Sequence, residues 1–529
     1  VWCVTLLFAL AVPAAVLAQS ITVLHVNDTH SHLDSFGPRD AQLDGTLGGL
    51  TRAAAVIKKA QDESPNTLLL HAGDLFVGDL FFNKYFGVPE LQLLRGLGLE
   101  AMTVGNHEFD LGPDLLATAA QAAGLPAGFF LSANADTSGC DGQPCAPLRE
   151  LVEPSRIVTV DGVQIGIFGM TTPDDPTMNP TPVKILGKAS PGTVIGTALA
   201  TAVALREQGA QVVILLSHLG LAYDKAIAGS QPTHLIDFVV GGHDHEVLTT
   251  PIELSGTRIV SAGEFYGHVG QLRFTWDGST VHFDDYALLP VGSDVVADPA
   301  TKAVVDMLEQ GIVQTYGDVY DTVIGNAPWN LERHYDPLRP ARDTPLGNLV
   351  TDAYRFKTGT EIGLAASGYI AERIWKGPIV PADVFRTVSC GYNPATKLDF
   401  PLVKIGLKGS ELMKGMEIAL TYLGVTDAFF LQFSGVRYQY DSRSPKMQRI
   451  VPGSVHVGGN LIEPERVYSV TVNYAVAAIA QQAMHLQLES WELAGMDEYV
   501  AVRDYVQRLK NVTGHSQGRI KDMAVADEP

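Results

Sequence analysis

Ala101-Met102-Thr103-Val104-Gly105-Asn106-His107-Glu108-Phe109-Asp110 is an apolar run that stops at a glycine and turns at once into Asn, His, Glu and Asp. A buried strand that ends this way delivers reactive side chains to one edge of a sheet. The amide oxygen of Asn is a hard metal ligand, and an imidazole ligates or carries a proton near neutral pH. Taken alone, an Asn-His turn capping the next helix accounts for the hexapeptide about as well as a catalytic loop does. The decision rests on what else in the chain ends in the same manner.

Four other runs do. Ile21-Thr22-Val23-Leu24-His25-Val26 leads into Asn27-Asp28-Thr29-His30, and Thr67-Leu68-Leu69-Leu70-His71-Ala72 into Gly73-Asp74. Val212-Val213-Ile214-Leu215-Leu216 ends in Ser217-His218, and Ile236-Asp237-Phe238-Val239-Val240 in Gly241-Gly242-His243-Asp244-His245. Continuous apolar strands alternating with helical stretches such as Gly48 to Ala60 and Gly192 to Gln208 predict a sheet covered on both faces. One such polar end is more often a cap or a solvated loop. Repetition at corresponding strand ends predicts an α/β fold with one site along the carboxyl edge.

A length of 529 residues exceeds what one core usually supports, so two domains are expected. The hydrophobic fraction of 46% and the charged fraction of 18% are those of an ordinary globular chain. A net charge of −21 argues against binding nucleic acid or an anionic membrane, and an anionic substrate would need local positive charge such as bound divalent metal. Residues 1–18 form an apolar run ending Val16-Leu17-Ala18, read as a secretory signal peptide, with an uncleaved anchor as the alternative. No membrane contact is expected after its cleavage. Cys140 and Cys145 bracket a turn suited to a small disulfide loop, and Cys390 is left unpaired.

The second half opens beyond a helix over Ala300 to Tyr316, where the domain junction is placed. It carries no clustering of metal-ligand residues. Its features are Arg342, Arg373, Phe429, Phe430, Tyr474 and Tyr499, suited to anion contacts and ring stacking, although most such aromatics are plain core.

The ordered series Asp28-x-His30, Gly73-Asp74, Gly105-Asn106-His107-Glu108, His218 and Gly242-His243-x-His245 resembles the calcineurin-like dinuclear metallophosphoesterases. Asn27-Asp28-Thr29-His30 together with Gly105 to Asp110 resembles specifically the secreted 5'-nucleotidase and UDP-sugar hydrolase branch. In the second half, Leu346-Gly347-Asn348-Leu349 and Phe430-Leu431-Gln432-Phe433-Ser434-Gly435 are similar to that branch's C-terminal domain. The resemblance implies a four-layer metallophosphoesterase β-sandwich flanked by helices over 19–292, a linker helix over 293–319, and an α/β substrate-binding domain over 320–529.

It further implies two divalent metal ions, zinc, manganese or similar. Asp28, His30, Asp74 and His245 would hold one, and Asp74, Asn106, His218 and His243 the other, with Asp74 bridging. His107 would stabilise the transferring phosphoryl oxygens, with Asp110 orienting its ring. Phe430 and Tyr474 would form an aromatic clamp for a base, Asp497 would lie near the ribose, and Arg342 would contact an anion. The branch's Asn-Gly-Gly-Gly-Ile-Arg turn aligns with Ala366-Ser367-Gly368-Tyr369-Ile370-Ala371, so its Asn and Arg are missing, and Arg373 is the nearest substitute. A helical insertion over roughly Ala475 to Leu493 separates Tyr474 from Ala494-Gly495-Met496-Asp497. The implied activity is extracytoplasmic hydrolysis of a small phosphate ester, with 5'-nucleotides first. UDP-sugars, 2',3'-cyclic nucleotides, a thiosulfohydrolase-like reaction and an inactive secreted binding module are the alternatives.

Overall fold

The computed structural model describes residues 18–173, 179–334, 341–424 and 426–524. The expected signal peptide lies outside them, save for its last residue.

Strands β1 (Gln19–Val26), β2 (Thr67–His71) and β3 (Leu99–Thr103) are parallel neighbours in a seven-stranded sheet. Successive side chains of a strand point to opposite faces. On β1, Ile21 and Val23 therefore enter the core between two sheets, while Leu24 and Val26 pack with α1 (Leu50–Glu63) on the outer face. The second sheet has six strands, with β4 (Val163–Thr171), β5 (Val212–His218) and β6 (Phe238–Gly241) in parallel at its centre. Ile214 and Leu216 of β5 face the first sheet, while Val213 and Leu215 face α2 (Pro191–Glu207). Both sides of each sheet are covered, which is why these strands read as unbroken apolar runs. The antiparallel pair β7 (His268–Trp276) and β8 (Val281–Pro290) extends the first sheet beyond β1. The result is helix, sheet, sheet, helix, as expected.

Helix α3 (Pro299–Tyr316), capped by the Asp298 side chain, follows and lies against the first half. The second half is built on a mixed sheet of five strands in the order β11-β9-β12-β10-β13: β9 (Ile362–Ala366), β10 (Pro401–Lys408), β11 (Leu431–Ser434), β12 (Val467–Asn473) and β13 (Leu488–Asp497). Helices α4 (Pro345–Thr358) and α7 (Glu498–Leu509) belong to the core that continues into the first half. Between them in sequence, α5 (Gly409–Leu420) and α6 (Tyr474–Gln482) pack on the other face of the sheet. The expected helical insertion over Ala475 to Leu493 is corrected here: the helix stops at Gln482, and Leu488 onward is an edge strand. Its backbone pairs with β10, Val403 opposite Leu493 and Ile405 opposite Trp491, and that ladder overrides local helix preference.

The halves meet through a buried pair, Arg386 Nε to Asp79 Oδ2 at 2.5 Å, and through Arg39, which donates to both carboxylate oxygens of Asp383. The Cys140 and Cys145 sulfurs are bonded, and Cys390 is free.

Candidate metal centre and cleft

The five polar strand ends converge on one rim where the two sheets come together. Two groups of ligand-bearing side chains form there, Asp28, His30 and His245 in one and Asp74, His218 and His243 in the other, with the ligand atoms of each group within 4.8 Å of one another. His30 Nε2 lies 3.2 Å from His245 Nε2, which is 3.6 Å from Asp28 Oδ1. His218 Nε2 lies 2.9 Å from Asp74 Oδ2, and the Asn106 amide oxygen sits 3.1 Å from His218 Nε2 and 3.0 Å from His243 Nδ1. All seven residues expected at the metals are thus brought together.

The other nitrogen of three of these rings has a partner that fixes the ring's direction, as metal-ligating histidines require. His30 Nδ1 faces the Phe76 carbonyl at 3.2 Å, His218 Nδ1 the Ala72 carbonyl at 2.7 Å, and His245 Nδ1 is bonded to Glu264. Asp28, His30, Asp74, His243 and His245 all have positive φ, between 48° and 80°. Non-glycine residues held there cost of order 1–3 kcal/mol each and cluster at functional sites. The loops also pass so close that a side chain at Gly105 would meet the Asp74 backbone nitrogen at 2.6 Å, and one at Gly242 the Ala72 carbonyl at 2.6 Å.

Three residues of this site went unassigned in the sequence. Glu108 accepts from the backbone N–H groups of Asp74, Leu75, Phe76 and Gly105, at 2.7 to 3.1 Å, and so ties two of the loops together. Asn27 donates to Asp28 Oδ2 at 2.6 Å and accepts from Ala262 at 2.9 Å. Glu264 joins His245 to Arg333 of the second half, 3.3 Å away. Glu108 was legible as a motif residue adjoining His107, whereas nothing near Glu264 in sequence signals its role.

The donor set of imidazole, carboxylate and amide oxygen fits two divalent borderline or hard ions, and the absence of thiolate argues against softer ones. The electrostatics agree. Burial works against charge on His218, but Asp74 outweighs it and pushes the ring up to about 10. In the absence of metal, the buried carboxylates draw a proton as their counterion.

Beside the metal residues, His107 Nδ1 lies 2.6 Å from Asp110 Oδ2, and its Nε2 is 4.0 Å from Asp74 Oδ2. The His107 backbone N–H donates to Asp74 Oδ1 at 2.9 Å, which fixes the loop against the centre. His107, His243 and His245 then form one end of a cavity of about 690 Å³ that runs into the second half. Arg333 lines it too, and its guanidinium donates to the Ala371 carbonyl, at the turn from which the expected arginine is missing.

The five residues expected to bind substrate lie outside this cavity's wall among the described residues. Phe430 is 2% exposed within the core, while its neighbour Phe429 lines the cavity, 4.4 Å from the Tyr422 ring. Tyr474 is 45% exposed and packs edge-on against Trp491. Asp497 is buried and accepts from Asn393 at 2.7 Å. Arg373 pairs with Glu332 at 3.0 Å over the Trp375 ring, and Arg342 is exposed.

Residues 21–247 match the family model for calcineurin-like phosphoesterases, and residues 323–484 that for the 5'-nucleotidase C-terminal domain. The solved 5'-nucleotidase precursor of Thermus thermophilus is 30% identical, with a TM-score of 0.78, over 97% of this chain and all of that one. The 5'-nucleotidase of Mus musculus is 27% identical over 97% of this chain and 92% of its own length. Endonuclease YhcR of Bacillus subtilis is also 27% identical over 96% of this chain, which spans only 41% of that longer protein. On the strength of the match that runs the whole length of the Thermus structure, the chain belongs to the 5'-nucleotidase family of calcineurin-like phosphoesterases.

Proposed function

We propose that the protein is an extracytoplasmic two-metal hydrolase of phosphate esters, with 5'-nucleotides as first substrates. The observation that carries this reading is the meeting of two ligand groups with His107 at the mouth of one cavity. Asp28, His30, Asp74 and His245 would hold one ion, and Asp74, Asn106, His218 and His243 the other. When bound, the ions, zinc or manganese by donor type, acidify an attacking water and neutralise phosphoryl oxygens. Around them the chain supplies orientation. His107, its Nδ1 held by Asp110, presents Nε2 to the phosphoryl group and passes a proton to the leaving oxygen. Arg333 offers positive charge on the substrate side of the centre.

The Phe429 and Tyr422 rings on the cavity wall support stacking of a base, in place of the Phe430 and Tyr474 pair. The names of the mouse and Thermus relatives favour nucleotides. The apolar leader and the Cys140–Cys145 disulfide favour an oxidising compartment. The central sheets of each half share no strand, which supports domains over 19–292 and 320–529 joined by 293–319.

The test is phosphate release from AMP, UDP-glucose, a 2',3'-cyclic nucleotide and p-nitrophenyl phosphate with manganese or zinc added. Asp74→Asn and His243→Ala should lose activity and metal together. His107→Ala should keep its metal and lose at least about 100-fold in kcat. Loss of metal from that variant would remove His107 from its role.

A further inference from the structure

We infer that the inner end of the cavity takes an aliphatic chain, so that phosphate monoesters of aliphatic alcohols are substrates of the same centre. This rests on the phosphohydrolase reading and adds a substrate class to it. At the inner end one wall is a face of the five-stranded sheet. Leu364 and Ala366 on β9, Ile405 and Leu407 on β10, and Val470 and Val472 on β12 all line it, each pair two residues apart as one face demands. The opposite wall is helical, with Leu412 and Ala419 on α5 and Val476, Ala477 and Ile479 on α6. Leu486 and Leu488 also line it.

Packed interiors seldom contain voids larger than a water molecule, whereas about 690 Å³ is the size of a ligand site. The two ends differ in chemistry. At the centre are His107, His243, His245 and Arg333, which suit a phosphate. Between the sheet face and α6, the residues named above offer no side-chain hydrogen-bonding group. A nucleobase placed there would leave its own donors and acceptors unpaired at a cost, whereas methylenes lose nothing. The cavity wall therefore has the polarity to receive an amphiphile, anionic at one end and apolar at the other. In the reaction, the water oxygen forms a bond to phosphorus and the bond from phosphorus to the ester oxygen breaks. That oxygen leaves with the electron pair and takes a proton, giving the alcohol and inorganic phosphate.

The experiment uses the metal-loaded full chain and monomeric ethyl, butyl, hexyl and octyl phosphates, with p-nitrophenyl phosphate as the reference. The value of kcat/KM should rise about fourfold for each methylene added, the equivalent of ~0.8 kcal/mol per buried methylene at 1.36 kcal/mol per tenfold, until the cavity is full. Calorimetry should show octylphosphonate binding more tightly than ethylphosphonate, independently of turnover. Ala477→Phe, which fills the inner end, should cut the octyl-to-ethyl ratio at least tenfold. That ratio is internal to one protein sample and does not depend on the fraction folded. A flat chain-length series alongside brisk aryl phosphate turnover overturns the inference and leaves the phosphohydrolase reading standing. No phosphate release from any ester overturns both.

Discussion

Glu264 carries the charge that links the two halves at the centre. Burial opposes its ionisation, but Arg333 and then His245 hold its carboxyl well below the usual range. It therefore fixes the His245 ring by charge as well as by shape. Glu264→Gln keeps the shape and removes the charge, and apparent metal affinity should fall about 10–100-fold by calorimetric titration. Unchanged affinity would mean that the ring is held by its backbone alone. At this scale the sequence is uneven. Asp28, His30, Asp74, Asn106, His218, His243 and His245 were legible because each lies at the end of an apolar strand or within four residues of it, and the family resemblance grouped them. Glu264 was not, because its partners lie 19 and 69 positions away and meet it only in space.

Among the elements, the helix Leu80–Tyr85 and the segment Pro381–Thr387 share one buried pair. Asp79 caps the first by accepting from Phe81 N–H and binds Arg386 of the second. Asp79→Ala strands a buried guanidinium and should cost about 3–5 kcal/mol in chemical denaturation. Combining it with Arg386→Met should recover part of that loss. No recovery would assign the cost to the helix cap instead. Strands and helices of the first half were readable because period and length agree with burial on both faces. The clamp was not. Phe429 and Phe430 are adjacent and chemically alike, and only tertiary packing decides which ring meets the cavity and which the core. The edge strand Leu488–Asp497 was missed for a similar reason, since its partners on β10 lie 81 to 96 residues upstream.

For the whole molecule, the dense carboxylate field makes metal loading a proton exchange. His218 has its pKa raised to about 10, so at pH 7 the metal-free ring is protonated and must lose that proton to ligate. Metal binding should release at least one proton at pH 7, read from binding heats in buffers of different ionisation enthalpy. Apparent affinity should rise about tenfold per pH unit between pH 6 and 9 for one such proton, and then level off as pH passes the ring's own value. A pH-independent affinity would mean that His218 is already neutral without metal. The −21 net charge signalled a need for local positive charge and the motifs pointed to Asp28 and Asp74, but that both carboxylates are fully buried became visible only in the structure.

The close approach at Gly105 and Gly242 has a consequence for anyone mapping tolerance by saturation mutagenesis. These two positions contribute no side chain and no ligand atom. Replacement at either would nevertheless inactivate the enzyme as thoroughly as loss of a ligand, because the Asp74 and Ala72 backbones leave no room for even a methyl group. A fitness map read without coordinates would rank them beside the proposed metal ligands and invite a search for chemistry they do not perform. Library designs that vary the cavity wall for new substrates should hold both fixed and spend their diversity on α5 and α6.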